Sequence, residues 1–152
     1  SGVSAGAINA ALFTLYPPGE EKALSDELLE TWMSLTNDQI NKVGVNLEYD
    51  ISIQIQGLYD DTPLREWSES KLDGQDCKRE VYVGTVDVNS GEYCTFGSYE
   101  YWDDFADLIV ASGSAPMYFP PMEVFDRLWM DGGTAYNLEL PSLVEYCYAQ
   151  GY

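Results

Sequence analysis

Residues 81–88, Val-Tyr-Val-Gly-Thr-Val-Asp-Val, limit the possible folds of this chain more than any other stretch. The run is nearly continuous in apolar and β-branched residues, the pattern of a strand covered on both faces. Such a strand has to lie between other layers, and the flanking sequence supplies helices for them. Asn89-Ser90-Gly91 reads as a turn, and Glu92 to Phe96 as its hairpin partner.

Helical patterns surround this strand. Ser4 to Tyr16 reads as a helix rich in small residues near its start and stopped by Pro17-Pro18-Gly19. A second helix is predicted from Glu20 to Leu35, with Leu24, Leu28, Trp32 and Leu35 on its apolar face. Thr62 reads as an N-cap with Pro63 at the first helical position, starting a helix to Lys71. Trp102 to Ser112 is predicted helical, with Trp102, Phe105 and Ile109 turned inward. Val124 to Met130 reads as one strand ending at Asp131-Gly132-Gly133, and Pro141 to Ala149 as a last helix with Leu140, Leu143, Val144 and Cys147 as its core stripe. Val45 to Gln56 fits two periods: alternate apolar positions as in a strand, or Leu47, Ile51, Ile55 and Leu58 as a helix face. Helices interleaved with buried strands predict an α/β layered fold in one domain.

Composition narrows the partners. With 26 acidic against 7 basic residues the net charge is −19, and no basic stripe exists to displace counterions from a nucleic acid. The same acidity disfavours electrostatic docking to anionic lipid and reads as a solvated surface. A 45% hydrophobic content is far too high for a disordered segment. The three cysteines, Cys77, Cys94 and Cys147, include no CxxC pair, and without histidine they point to no structural zinc. No apolar run approaches membrane-spanning length and no signal peptide is visible, so compartment stays open, as does oligomeric state.

The chemistry centres on two short motifs. Gly2-Val3-Ser4-Ala5-Gly6 has the form of a nucleophile elbow, a tight turn that lifts a serine hydroxyl out at a helix entrance. Gly2 and Gly6 are expected to relieve crowding around the serine, and the Ala5 amide to donate to a developing oxyanion. With no histidine anywhere in the chain, a Ser-His-Asp triad cannot be assembled from it. Either Ser4 is no nucleophile, or its base is a carboxylate, or the base lies elsewhere. Asp131 is the candidate carboxylate: it ends a strand, where ligands of α/β sheets collect, and Gly132 and Gly133 let neighbours approach it. An Asp-Gly pair also fits an ordinary turn aspartate bonding its own backbone. A carboxylate is a feeble base in water, so a Ser4–Asp131 pair needs desolvation and strong oxyanion donors. It needs no metal or other cofactor.

Four blocks carry a family resemblance. Ser1-Gly2-Val3-Ser4-Ala5-Gly6-Ala7-Ile8-Asn9-Ala10-Ala11-Leu12 and Met130-Asp131-Gly132-Gly133 resemble the two catalytic blocks of patatin-like phospholipases. Gly57-Leu58-Tyr59-Asp60-Asp61-Thr62-Pro63-Leu64-Arg65 and the segment from Ala111 to Pro121 match the same family in order and spacing. The resemblance implies a three-layer α/β/α sandwich that hydrolyses acyl esters of lipids with a Ser-Asp dyad, the nucleophile falling on Ser4 and its partner on Asp131. The implied partner is a lipid ester at a membrane or micelle surface, and no cofactor is implied. Met117, Tyr118 and Phe119 are expected to line an acyl channel. The family carries a first strand and a glycine-rich oxyanion loop before the elbow, and further strands after the last helix. Residues 1–152 are therefore expected to be a partial catalytic domain, incomplete at both ends. One departure is local: the family often has Asn-Pro after its Asp-Gly-Gly, whereas Asn137 is followed by Leu138, with Pro141 displaced. The same fold also admits a non-catalytic lipid-binding or storage protein, a lipid acyltransferase, or a triad whose histidine lies outside this sequence.

Overall fold

The apolar run becomes β3 (Tyr82–Asp87), an interior strand of the four-stranded sheet in a computed structural model that describes residues 1–43 and 57–152. The ambiguous stretch Val45 to Gln56 lies outside the described residues. On one side β3 pairs with β4 (Tyr93–Gly97), the expected hairpin partner, and on the other with β6 (Arg127–Asp131), which pairs in turn with β5 (Met122–Val124). All three pairings are antiparallel. A second, two-stranded sheet joins β1 (Lys42–Val43) to β2 (Tyr59–Asp60).

Residues directly opposite in an antiparallel pair share a face, which fixes where the helices lie. Val83 stands opposite Phe96, and Asp87 opposite Trp129. On that face Val83, Phe96 and Trp129 join one core with Phe105, Leu108 and Ile109 of α5 (Phe105–Gly113) and Ala7 and Ala11 of α1 (Ala5–Thr14). The opposite face meets α6 (Pro141–Ala149): the Tyr82 and Tyr146 rings lie 5.9 Å apart, and the Thr95 and Ser142 hydroxyls hydrogen-bond at 2.9 Å. Helices therefore cover both faces of the sheet, the three-layer arrangement expected. The remaining helices are α2 (Glu21–Ser34), the short α3 (Asn37–Ile40) and α4 (Thr62–Leu72).

Five expectations need correction. The single strand from Val124 to Met130 is a hairpin, because Phe125 and Asp126 adopt φ of 56° and 57° and close a two-residue turn between Val124 and Arg127. Positive φ at both central positions is the type I′ signature, but sequence normally announces it with Asn-Gly. Here the Phe125 ring packs 5.5 Å from Tyr101 and 6.1 Å from Phe96, contacts that offset the strained backbone. Helix α4 starts at Thr62 itself, with Asp61 as N-cap, and the Thr62 amide donates to Asp60 Oδ1 at 2.9 Å. In α2 only Leu24 and Thr31 are buried, while Trp32 is 41% exposed and donates from its indole to Asn9. No residue of α6 is buried: Ser142 and Tyr146, one turn apart, face the sheet, which rotates the Leu140–Leu143–Val144–Cys147 stripe away from it. Trp102 likewise belongs to a 3-10 turn ahead of α5 and lies at the core's edge, whereas Phe105 and Ile109 are fully buried.

One polar chain ties three helices together. The Tyr16 hydroxyl, just past α1, donates to the Glu27 carboxylate of α2, which also accepts from Lys71 Nζ of α4 at 2.9 Å. Hydrogen bonding to Glu27 pushes the Tyr16 phenol up to about 12, and the same bond holds the Glu27 carboxyl low. A phenol raised above its unfolded value near 10 stabilises the fold fully below pH 10 and loses that contribution as pH climbs toward 12. Tyr16→Phe is therefore expected to melt below the parent at pH 9, with the gap closing by pH 12. Thermal denaturation followed by circular dichroism at both pH values checks this.

Candidate active site

The chain reaches Ser4 along the edge of β3. Gly2 forms a parallel bridge with Val83: its amide donates to Tyr82 O at 2.8 Å, and its carbonyl accepts from Gly84 N at 3.2 Å. Two residues later the backbone turns sharply into α1, with Ser4 at φ 56° and ψ −127°. For a residue bearing a Cβ this conformation is sparsely populated and costs about 1–3 kcal/mol, so the surroundings must hold it. The fold-back is tight enough that a Cβ on Gly2 lies 2.8 Å from Ala7 N and closer still to Gly6 O. Gly2 is thus required by backbone contact, as expected.

Gly6 is not. A Cβ there meets nothing within 4 Å, so the expectation that Gly6 relieves crowding is corrected to open space. Gly6→Ala is expected to fold normally and to gain a few tenths to about 1 kcal/mol from helix propensity, read as a higher denaturant midpoint.

The elbow is held from below by α5. The Ser4 amide donates to Ser112 Oγ at 3.0 Å, and the Ser112 hydroxyl donates to Gly84 O at 2.7 Å. Ser112 is completely buried. The Ala5 amide, first in α1, has no hydrogen-bond acceptor among the described residues, and Ala5 is exposed. This donor, with the positive end of the helix behind it, is available to an oxyanion beside Ser4.

Asp131 closes β6 opposite Thr85 and is 6% exposed. Its Oδ1 accepts from Gly133 N at 2.7 Å, so the turn-aspartate arrangement is present and occupies one carboxylate oxygen. Its amide donates to Ser114 O at 3.0 Å. A Cβ on Gly132 lies 2.7 Å from Gly84 C, so the turn packs directly on β3. A Cβ on Gly133 instead meets the Asn137 side chain and lies 3.0 Å from Asp131 Oδ1.

These pairings bring the two motifs together. Since β4 occupies one edge of β3, Gly2 opposite Val83 and Asp131 opposite Thr85 share the other. Val83 and Thr85 are two residues apart, about 7 Å along a strand. The chain from Gly2 to Ser4 runs parallel to β3, toward the position that Asp131 fills from the opposite direction. Ser4 and Asp131 therefore lie at facing chain ends, on either side of the Gly84 carbonyl.

Sequence reasoning placed Ser112 in a family block but assigned it no role. A serine at the end of an otherwise apolar helix was the available signal. Tyr93 was missed as well. Its buried hydroxyl has no hydrogen-bond partner among the described residues and lies where a Cβ on Gly84 would stand. Burial pushes this phenol up, and the nearby Glu139 and Asp131 carboxylates push it further, so it stays protonated. It borders a cavity of about 300 Å³ shared with Tyr136, Leu138 and the buried Glu139. Met117 and Tyr118 are 77% and 57% exposed, while Phe119 turns inward to pack 6.1 Å from Tyr59. Among the described residues no group of three or more His, Cys, Asp or Glu side chains is placed to hold a metal ion, and no helix is long and apolar enough to cross a membrane.

Ser4 thus sits in a strained strand-to-helix turn beside an interior strand of a helix-covered sheet, with the Asp-Gly-Gly turn on the same side of that strand. The chain belongs to the patatin-like phospholipase family, whose model matches residues 1–144 of its 152. Membership makes it a lipid hydrolase in general terms. A search of curated proteins finds no match.

Proposed function

We propose that this protein is a serine acyl-ester hydrolase acting on lipid esters at a membrane or micelle surface, with Ser4 and Asp131 as a catalytic dyad. The observation that supports this most is the pairing register of β3, with Gly2 and Asp131 on one edge and Ser4 held in its strained turn between them. As Ser4 Oγ bonds to the ester carbonyl carbon, its proton passes to Asp131 and the carbonyl oxygen becomes an oxyanion facing the Ala5 amide. Collapse of that adduct breaks the ester C–O bond, and the leaving alcohol takes the proton from Asp131. Water then gives a proton to Asp131, attacks the acyl-serine and releases the fatty acid, and the proton returns to Ser4. Asp131 is nearly buried, which keeps bulk water away from the proton it exchanges with Ser4.

A fluorophosphonate probe tests the reading on the whole protein, since it reacts only with an activated serine. The expected result is a single adduct mapped to Ser4 by peptide mass spectrometry. An unlabelled Ser4 under conditions that label a control esterase points instead to a lipid-binding or storage role and removes the enzyme reading.

A further inference from the structure

Resting on that reading, the geometry points to Ser112 as the positioning residue of the nucleophile, acting through the Ser4 amide. Between Gly2 and Asp131 the edge of β3 has no strand partner, and the Gly84 carbonyl there faces the gap. The Ser112 hydroxyl fills that gap: it donates to Gly84 O at 2.7 Å and accepts from Ser4 N at 3.0 Å. One buried hydroxyl thus uses its single proton on the central strand and a lone pair on the elbow.

This bond supplies what the Ser4 turn lacks. In α1 the Ser4 side chain makes no capping hydrogen bond, and the elbow's own backbone bonds begin only at Gly6 and Ala7, which donate to Val3 O and Ser4 O at 2.8 Å each. Among the described residues the amide of Ser4 itself is tied to α5 alone, through Ser112. Two residues further, Ser114 O accepts the Asp131 amide at 3.0 Å, and Ser114 Oγ donates back to Val110 O at 2.9 Å. The end of α5 consequently grips both halves of the dyad within three residues, one by a side chain and one by a carbonyl. Only the side chain can be removed by substitution, and that makes Ser112 the testable half.

Ser112 does not touch substrate. Its loss lets the elbow relax and misdirects Ser4 Oγ, and misplacement of a reacting group by about 1 Å costs roughly a hundredfold in rate. Ser112→Ala, nearly the same shape, is therefore expected to slow fluorophosphonate labelling of Ser4 and to lower kcat by roughly ten- to a hundredfold, with KM held within about twofold. Ser112→Thr keeps the hydroxyl and is expected to recover most of the rate. A purely structural serine predicts a different outcome, a lower melting temperature with labelling of the folded protein unchanged.

The experiment measures labelling rate, kcat and KM for a p-nitrophenyl ester in the full protein, well below each variant's melting temperature. Ser112→Cys, of similar shape but with a weak thiol donor and acceptor, is the second variant and is expected to be slowed in the same direction. A Cys variant labelled at the wild-type rate overturns the proposal whether or not the Ala variant folds. Loss that Thr does not recover also overturns it. No adduct on wild-type Ser4 overturns the functional reading and this inference with it, whereas equal labelling of all variants overturns the inference alone.

Discussion

Asp131→Asn is expected to lower kcat for ester hydrolysis by roughly 10³- to 10⁵-fold while leaving the fold intact, and Ser4→Ala to lower it at least as far. The argument turns on what each substitution preserves. Asparagine keeps an oxygen in the position of Oδ1, so the 2.7 Å bond from the Gly133 amide, and with it the turn, survives. What it removes is the capacity to take a proton. Alanine at position 4 carries the same Cβ as serine into the φ 56° turn, and the amide bond to Ser112 is untouched, so only the hydroxyl is lost. A dyad acting as one unit predicts a double variant no slower than Ser4→Ala alone. Initial rates on a p-nitrophenyl ester, with melting temperatures recorded alongside, check all three. Undiminished turnover in either single variant removes the dyad, and additive losses in the double variant place the two residues in separate steps.

The legible part of this site was the part that glycine and chemistry mark together. Ser4 and Asp131 each stand beside a glycine whose missing side chain is demanded by backbone, Gly2 against Gly6 and Ala7, and Gly132 against Gly84. Such requirements leave short, readable motifs. The apolar run of residues 81–88 likewise announced the strand on which both motifs converge. What stayed hidden depends on three-dimensional pairing. Ser112 looks like any serine at a helix end until its hydroxyl is seen to bridge two elements that are distant in sequence. The β5–β6 hairpin was read as one strand because Phe125 occupies a left-handed position for the sake of its ring contacts, with no glycine to signal it. The stripe on α6 obeyed helical periodicity, yet the helix presents Ser142 and Tyr146 to the sheet instead. Periodicity reports that a helix is amphipathic; it does not report which neighbour it meets.

Gly132→Ala is expected to cost about 3 kcal/mol of stability, the upper end of the overpacking range. The new Cβ lies 2.7 Å from Gly84 C, where ordinary contact begins at 3.4 Å, and closer still to Gly84 O. Neither atom can swing aside, because both belong to the backbone of β3, which is paired with β4 at Gly84 and with β6 from Thr85 onward, and Gly84 O already accepts from Ser112. The turn must therefore move off β3 and carry Asp131 with it. For a domain of this size, 3 kcal/mol corresponds to a drop of roughly 6–12 °C in melting temperature. Activity is expected to fall by about a hundredfold even in the fraction that remains folded, because the proton acceptor is displaced from Ser4. Gly133→Ala supplies the contrast. Its Cβ meets only side-chain atoms, those of the exposed Asn137 and Asp131 Oδ1 at 3.0 Å, which can yield where backbone cannot, so the cost is expected to stay below about 1 kcal/mol. Thermal melts and single-turnover labelling of the two variants separate backbone crowding from any general intolerance of the turn to a methyl group. If Gly132→Ala melts with Gly133→Ala, the turn yields without resistance and Asp131 is not fixed by its packing on Gly84. If it melts far below, the position of Asp131 is set by the close packing of Gly132 on Gly84.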